Sequence, residues 1–490
     1  MAAREPVDPG LPIKLDPVSN CEYAPVPTSA VVKEAQRRAR IMCDENARRI
    51  GMDRRRFLLS SMGAATTLYA LAACSSESSD EGQEPGGNFD VPEDAMVDAD
   101  VALDTLGDDM PVIDMQCHLL EYPADYEGFN FGSIFAGARD CEDPELFSCF
   151  NTERWIEEIF DRSDTTVGVL SALPAVGTYD PLSAEVMDNC RRQVEELCGD
   201  NRVLVQGHAW ANVGELDEAL AAMEREHADY PISAWKAYCN VGDGWFLDDH
   251  DPAGKPVGEA FLAKVEELGP NIVCVHKGFG NVGDPKFADP RDIGPAATNH
   301  PDIRFCIYHS GFEAGVPEGA YDPANPGGGV DRLIKTVEDA GIGPGGNVYA
   351  ELGSTWRVLM GQPEAAAHVL GKLLVAFGED NILWGTDSLW YGTPQDQIQA
   401  LRTFEISEEF QERFGYPALT KEIKHKIFWQ NSARLHDISI PRLTCTTSQE
   451  DAEQARQESQ LTNRTYGPKS WREARAWFRA EHPWVFNRSR

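Results

Sequence analysis

Cysteine is scarce in this chain, and it is not spaced for metal binding. The 12 cysteines are about two per cent of the 490 residues, and no two of them form a CxxC pair. A disulfide scaffold and a cysteine-based zinc or redox motif are therefore excluded. Cys141 and Cys149 lie in a glycine- and acid-rich loop where a bridge can form. Cys190 and Cys198 are eight residues apart on a predicted helix, a rise of about 12 Å, so they cannot bridge each other.

Positive charge is also scarce. With 44 basic and 80 acidic residues the formal net charge is −36. Such a chain repels phosphate, so we expect no nucleic-acid partner. A small-molecule substrate is expected instead, and self-association into a homo-oligomer is left open. No G-x-G-x-x-G follows the first predicted strand, which argues against a dinucleotide-binding fold.

The first 109 residues differ in composition from the rest. Residues 53–74 combine the run Arg54-Arg55-x-Phe57-Leu58 with a short apolar stretch that ends in Leu-Ala-Ala-Cys74. This pattern is typical of a twin-arginine export signal with a lipid-attachment cysteine, so residues 1–74 are predicted to be an N-terminal extension and signal. A signal cut without lipidation and a retained membrane anchor are the alternatives. Residues 75–109 contain no Lys or Arg and predict an acidic disordered linker.

The signal-like pattern of residues 53–74 predicts export to the periplasm or cell envelope. A lipid on Cys74 would then be its contact with the membrane.

Residues 110–440 alternate short β-rich runs with amphipathic helical stretches. Strand-like runs lie at about 111–115, 166–172, 202–208, 232–238, 271–276, 303–308, 347–352 and 381–386. Eight β/α units without hairpin signals predict an α/β fold, a (β/α)₈ TIM barrel with parallel strands, and a doubly wound sheet is the runner-up. Residues 441–490 are predicted to form a C-terminal helical appendage.

Polar residues follow the apolar runs at the predicted strand ends. Gln116 and His118 follow strand one, His276 ends strand five, His309 follows strand six and Asp387 follows strand eight. In a parallel barrel these ends converge on one mouth, so residues far apart in sequence are expected to form one metal site there.

Three more polar residues end other strands of the predicted barrel. His208, Lys236 and Glu351 end strands three, four and seven, and they are candidates for binding substrate or supporting the metal ligands.

The order of these motifs resembles the amidohydrolase superfamily, in particular the amidohydrolase 2 branch of metal-dependent hydrolases and decarboxylases. The resemblance covers roughly residues 110–440 and is strongest in Tyr-His309-Ser-Gly-Phe and Trp-Gly-Thr-Asp387. It implies one divalent metal ion, zinc first and manganese or iron as alternatives, held by His118, His276 and Asp387. It also implies that His309 lies beside the metal-bound water or substrate.

Gln116 departs from the family pattern, because a histidine is expected at that position. A glutamine carbonyl is a poorer zinc ligand than imidazole. Three strong ligands would remain in His118, His276 and Asp387, which is the number that a catalytic zinc site needs when water fills the fourth position.

The predicted chemistry is hydrolysis of an amide, ester or lactone by a metal-activated water, with His309 as general acid and base and Asp387 orienting the nucleophile. Decarboxylation of an aromatic or unsaturated acid is the alternative within the same family. A non-catalytic ligand-binding lipoprotein with a degenerate metal site is the alternative of another class. Lys236 could be carbamylated to bridge two metals, neutralise Asp387 or bind a substrate carboxylate, and Glu351 could support Lys236 or contact substrate.

Overall fold

The structure is a computed structural model. It describes the following ranges of the chain: residues 8–78, 85–123, 147–174, 180–199, 201–209, 216–248, 257–281, 283–440, 449–458, 463 and 465–474.

A parallel barrel forms the centre of the molecule. After a short strand β1 (Gly87–Phe89), eight strands follow one another in sequence and in space: β2 (Ile113–Cys117), β3 (Val167–Leu170), β4 (Val203–Ala209), β5 (Ile232–Ala237), β6 (Ile272–His276), β7 (Arg304–Tyr308), β8 (Val348–Glu351) and β9 (Ile382–Leu383). Each strand pairs in parallel with the next, as in β6–β7, where His276 lies opposite Tyr308. The predicted (β/α)₈ barrel is confirmed.

The barrel closes between its first and last strands. Cys117 and Ser388 form a parallel bridge, and the His118 N–H donates to the Ser388 carbonyl at 2.6 Å. The Asp387 N–H likewise donates to the Gln116 carbonyl at 2.9 Å. Closure therefore brings residues that are about 270 positions apart into backbone contact at the mouth.

Helices surround the barrel and follow the strands in alternation. They are α1 (Ala30–Ile50), α2 (Arg54–Leu58), α3 (Ser61–Ser78), α4 (Ala99–Leu106), α5 (Phe147–Phe150), α6 (Thr152–Ile156), α7 (Ala184–Cys198), α8 (Leu216–Asp229), α9 (Val257–Leu268), α10 (Ile293–Asn299), α11 (Val330–Asp339), α12 (Thr355–Leu359), α13 (Pro363–Phe377), α14 (Gln395–Thr403), α15 (Glu408–Phe414), α16 (Lys421–His425), α17 (Asn431–His436) and α18 (Gln449–Glu458).

Shorter helical turns complete the described chain. They are 3₁₀ at Glu93–Met96, Pro285–Ala288, Pro290–Asp292 and His309–Gly311, and π-helical at Glu157–Asp161 and Lys426–Gln430.

Local sequence sets several of these helix ends. The Ser29 hydroxyl accepts from the Val32 N–H at the start of α1, and Gly51 ends that helix with a φ of 69°, the left-handed conformation that glycine adopts without a Cβ penalty. Helix α13 begins with Pro363 and ends at Gly378, the order that helix termini favour.

Residues 8–78 fold with the barrel body. Helix α1 packs along α3, and α3 contacts α4 and α14. Phe57, Leu68 and Leu71 are fully buried in the main core. None of the helices in the described part of the chain combines the length and apolar character that a membrane crossing requires.

The linker predicted for 75–109 differs from the structure over residues 85–106. Gly87–Phe89 pairs antiparallel with β10 (Phe404–Ile406), and Ala102 and Leu106 on α4 are buried. Composition favoured disorder because Ser, Gly, Pro, Asp and Glu dominate residues 75–109. A few apolar residues at helical spacing are enough to dock it on the larger core.

Some of the cysteines discussed above and part of the C-terminal region lie within the described residues. Cys149 is disulfide-bonded, whereas Cys141 lies outside the described residues. Cys190 and Cys198 are free thiols. Within the C-terminal region the structure describes α18, which contacts α2.

Candidate active site

Three histidines at the barrel mouth are held by backbone carbonyls. Each ring uses its outer nitrogen for a 2.7 Å hydrogen bond: His118 Nδ1 to the Ser171 carbonyl, His276 Nε2 to the Phe279 carbonyl and His309 Nδ1 to the Gly353 carbonyl. A carbonyl can only accept, so these ring nitrogens carry the proton. The inner nitrogen of each ring therefore faces the centre of the site, and it presents a lone pair there when the ring is neutral.

The inner nitrogens of His276 and His309 face each other. His309 Nε2 lies 3.2 Å from His276 Nδ1, and both rings are buried. Burial lowers the pKa of His276 well below its usual value and that of His309 to about 4, so both rings are neutral near pH 7. Two buried lone pairs at this distance repel each other unless a cation lies beside them.

Asp387 supplies the negative charge next to these rings. Its Oδ1 lies 3.0 Å from His118 Nε2 and accepts from Gln116 Nε2 at 3.1 Å. Its Oδ2 accepts from the Ser354 hydroxyl at 2.5 Å. With the outer nitrogen of His118 protonated, the 3.0 Å contact between His118 and Asp387 also calls for a proton or metal ion between the two acceptors.

Gln116 turns its amide nitrogen, not its carbonyl oxygen, towards Asp387. Its Oε1 is buried and has no hydrogen-bond partner among the described residues. The side chain therefore orients Asp387 through its nitrogen.

Lys236 lies buried in the floor of the site. Its ammonium nitrogen is 3.8 Å from the ring centre of Tyr308 and 4.5 Å from that of Tyr238, and it has no hydrogen-bond partner in the described part of the chain. Burial lowers the pKa of Lys236 to about 8, while Glu22 acts to raise it. The charge is held by the two ring faces, which leaves three N–H donors for an acceptor that enters the site.

Glu351 acts on Lys236 electrostatically and helps to raise its pKa, while its hydrogen bonds hold the turns at the mouth. Its carboxylate accepts from the His309 N–H at 3.0 Å and from the Gly353 N–H at 2.6 Å. It therefore holds the two strand-end turns that carry His309 and its carbonyl acceptor. Burial raises the pKa of Glu351 well above its usual range.

His208 lies opposite Lys236 in the β4–β5 pairing. Its Nδ1 is 3.7 Å from Asp180 Oδ2, and its backbone N–H donates to Glu226 Oε2 at 2.8 Å. These contacts place the imidazole of His208 beside Asp180 and its backbone N–H beside Glu226.

Two further residues come from the N-terminal segment, where sequence reasoning did not find them. Asn20 Nδ2 donates to Asp387 Oδ2 at 2.8 Å and to Glu22 Oε2 at 2.6 Å. Glu22 lies 3.6 Å from His276 Nδ1 and 3.7 Å from His309 Nε2. The facing ligand atoms of Glu22, His276 and His309 all lie within 4.8 Å of one another. No periodicity or motif marks these positions.

Ser354 was also missed, although a signal for it exists. It follows β8 three residues after Glu351, and strand-end position alone would have marked it as a candidate. Its hydroxyl contacts both Asp387 and the Tyr391 hydroxyl, at 2.5 and 2.6 Å.

Unusual backbone conformation is concentrated at the site. In the described ranges, positive φ outside glycine occurs at seven residues: Cys21, Asn201, His309, Ser310, Ser354, Asp387 and Asp437. Five of these seven either carry a side chain of the site or directly adjoin one that does. Such conformations persist where surrounding contacts hold them, as they commonly do at functional sites.

A protein-family comparison agrees with the order of these residues. The family model described as amidohydrolase matches residues 113–438, more than half of the chain. The chain belongs to the amidohydrolase family. Members of this family are enzymes that typically use a divalent metal ion.

Solved structures of low identity also match. They include an uncharacterised TIM-barrel protein from Bordetella bronchiseptica, at 17% identity over 66% of this chain and 98% of that one, with a TM-score of 0.42. A 5-carboxyvanillate decarboxylase from Sphingomonas paucimobilis matches at 16% over 67% and 100%, with a TM-score of 0.40. A 4-oxalomesaconate hydratase from Rhodopseudomonas palustris matches at 14% over 66% and 95%, with a TM-score of 0.39. No curated protein matches the chain.

The residues of this amidohydrolase fit a divalent metal ion. Metal-ligand bonds of roughly 2.0–2.1 Å place neighbouring ligand atoms roughly 3.0–3.5 Å apart. The 3.0 Å contact between His118 and Asp387 has this spacing, and the facing ligand atoms of Glu22, His276 and His309 all lie within 4.8 Å of one another. Backbone carbonyls on the outer ring nitrogens are the partners that metal-bound histidines usually have.

Proposed function

We propose that this amidohydrolase is a metal-dependent hydrolase that cleaves an amide, ester or lactone bond at the barrel mouth. The supporting observation is the set of three imidazoles held by backbone carbonyls, with His118 3.0 Å from Asp387 and His276 3.2 Å from His309. His118, His276 and Asp387 would hold one divalent ion, with zinc the first expectation and manganese or iron the alternatives. When bound, the ion lowers the pKa of a coordinated water and polarises a substrate carbonyl.

His309 is the residue proposed to move the proton. Its Nδ1 proton is held on the Gly353 carbonyl at 2.7 Å, so Nε2 is the nitrogen able to accept a proton from water and return it to the leaving group. The low pKa of His309 keeps this nitrogen unprotonated near pH 7. Asp387, held by Ser354 and Gln116, orients the nucleophile beside it.

Lys236 supports a substrate that carries a carboxylate. A buried ammonium group with no hydrogen-bond partner is costly, and a carboxylate would meet it with a charge-assisted hydrogen bond. The neighbouring rings of Tyr238 and Tyr308 would contact an apolar part of the same molecule. Because a substrate acid can also lose carbon dioxide, Lys236 is the observation that favours decarboxylation as the second candidate reaction.

Elemental analysis of the full-length protein tests the metal centre. We expect about one zinc, manganese or iron per chain, lost in both His118→Ala and Asp387→Ala. Zinc content is then compared with turnover of amide, lactone and aromatic-acid substrates, where a hydrolysis product or released carbon dioxide distinguishes the two reactions. A wild-type protein that stays metal-free after reconstitution would contradict the proposal and favour ligand binding without catalysis.

Export through the twin-arginine route remains a separate proposal. It is supported by the position of the arginine pair at the start of α2, where the Arg54 side chain is 41% exposed and so accessible on the folded protein. A folded-protein route also suits an enzyme that receives its metal before transport. Cell fractionation, with Arg54→Lys/Arg55→Lys as the control, tests it; an unchanged distribution would contradict it.

A further inference from the structure

Glu22 reaches the metal-ligand candidates from outside the barrel. It lies in the segment before α1, some 90 residues ahead of the first barrel strand. Nevertheless its two carboxylate oxygens lie 3.6 Å from His276 Nδ1 and 3.7 Å from His309 Nε2. These distances are too long for hydrogen bonds, but they are close to the spacing of two ligand atoms on one ion.

The segment that carries Glu22 is tied to the mouth on both sides. Tyr23 stacks on Phe279, with ring centres 4.6 Å apart, and its hydroxyl lies 3.1 Å from that of Tyr391. The Asn281 N–H donates to the Glu22 carbonyl at 3.0 Å. Since Phe279 also provides the carbonyl that holds His276, the same loop positions both residues.

Asn20 places two carboxylates side by side. Its amide nitrogen donates to Glu22 Oε2 at 2.6 Å and to Asp387 Oδ2 at 2.8 Å. Two carboxylates bridged by one amide in a buried site are both charged only if a cation joins them; otherwise one of them takes up a proton. Lys236 acts on both electrostatically but forms no hydrogen bond with either. A divalent ion next to both carboxylates would balance the charge.

Gln116 leaves one ligand position of the family pattern without its histidine. The family pattern has a histidine there, and Gln116 offers an amide nitrogen to Asp387 in place of a ligand atom. A carboxylate is among the donors that zinc, manganese and iron accept. We propose that Glu22, held by Asn20, is a ligand of the metal ion and replaces the histidine that Gln116 displaces, so that the N-terminal segment is part of the active site.

This inference depends on the proposed metal centre, and the experiment separates the two. Full-length wild-type protein, Glu22→Gln and Glu34→Gln are loaded with zinc, and the dissociation constant is measured by competition with a chelator. Glu34 is the matched control because it is a surface carboxylate of the same N-terminal region, paired with Arg37 and Arg38. Cobalt(II) is then substituted in each protein, and its visible absorption reports the ligand set directly.

We expect Glu22→Gln to weaken zinc binding about tenfold or more and to change the cobalt absorption. Glu34→Gln should match the wild type in both measurements. Asn20→Ala should weaken zinc binding less than Glu22→Gln does, because it loosens Glu22 without removing it. Circular dichroism confirms that each variant is folded.

Two results would overturn the proposal in distinguishable ways. If Glu22→Gln binds zinc as the wild type does, with an unchanged cobalt spectrum, while His118→Ala loses the metal, Glu22 is a cover over an intact metal centre. If the wild type itself binds no metal, the metal centre and the role of Glu22 both fail.

Discussion

Gln116 is the residue at which this chain departs most clearly from its family. Its amide donates to Asp387 and its carbonyl oxygen is buried without a partner. The side chain therefore binds the carboxylate of Asp387, and other residues are the metal-ligand candidates. The departure is local, since His118, two residues later, keeps its carbonyl-held ring.

Gln116→His tests this reading. We expect about a tenfold increase in zinc affinity, because an imidazole would add a nitrogen ligand beside His118. Gln116→Leu removes every polar atom and should change zinc affinity much less than His118→Ala does. Chelator competition measures all three. Loss of the metal in Gln116→Leu would show that the amide itself is a ligand.

Lys236 carries the second prediction at the scale of single residues. Lys236→Met should leave the protein at least as stable, because it removes a buried charge without a hydrogen-bond partner. It should lower kcat/KM for substrates with a carboxylate by about tenfold to a hundredfold, the effect of one lost hydrogen bond to a charged group. Neutral substrates of the same shape are the control. An equal loss for both substrate classes would contradict a carboxylate-binding role.

At the scale of elements, the turn after β6 holds a metal-ligand candidate in place. Lys277 follows His276 directly and pairs with Asp292 at 2.8 Å, both fully buried. Asp292 precedes α10 and accepts from the Leu247 N–H at 2.8 Å. The pair thus joins the end of β6 to the start of α10 and to the loop after β5 that contains Leu247.

Lys277→Met should reduce the free energy of unfolding by about 3–5 kcal/mol, because Asp292 would be left as an unpaired buried charge. The double variant Lys277→Met/Asp292→Leu should recover most of that loss, since neither charge remains. Urea unfolding followed by circular dichroism measures both. A double variant no more stable than the single one would show that packing, not charge, causes the loss.

Strand ends were the most predictable elements of this chain. All eight barrel strands lie where alternating β-rich runs predicted them, and Lys236, His276 and Glu351 lie within their last residues. The strands could be predicted because buried parallel strands are nearly continuous apolar runs that stop where the mouth begins. The structure of residues 85–106 could not be predicted, because its few apolar contacts form only against a core built by other parts of the chain.

At the scale of the whole molecule, the N-terminal segment is part of both the core and the candidate site. Helix α3 contributes buried residues to the main core, among them Leu68 and Leu71, and the segment before α1 contributes Asn20 and Glu22 to the site. Cleavage before Cys74, as a lipoprotein signal would require, would remove all of these.

We therefore expect a chain beginning at Cys74 to fold poorly and to retain little zinc. The buried face of α3 would leave an exposed apolar surface on its partners, which favours aggregation. The full chain expressed in parallel is the control, and soluble yield and zinc content are the measurements. Mass spectrometry of the protein from its native cells gives the N-terminus directly. A mature chain that starts at Cys74, folded and metal-loaded, would contradict this prediction and the role of Glu22.

The sequence by itself determined the barrel, the order of its strands and the polar residues at their ends, because apolar periodicity and strand-end position are local properties of the chain. It also pointed to a metal-dependent family through His118, His276, His309 and Asp387. Only the tertiary structure decided which ring nitrogens face inward. It also decided that Gln116 donates a hydrogen bond to Asp387 and that Asn20 and Glu22 lie at the mouth. Those facts depend on contacts between segments hundreds of residues apart, which leave no periodic trace in the sequence.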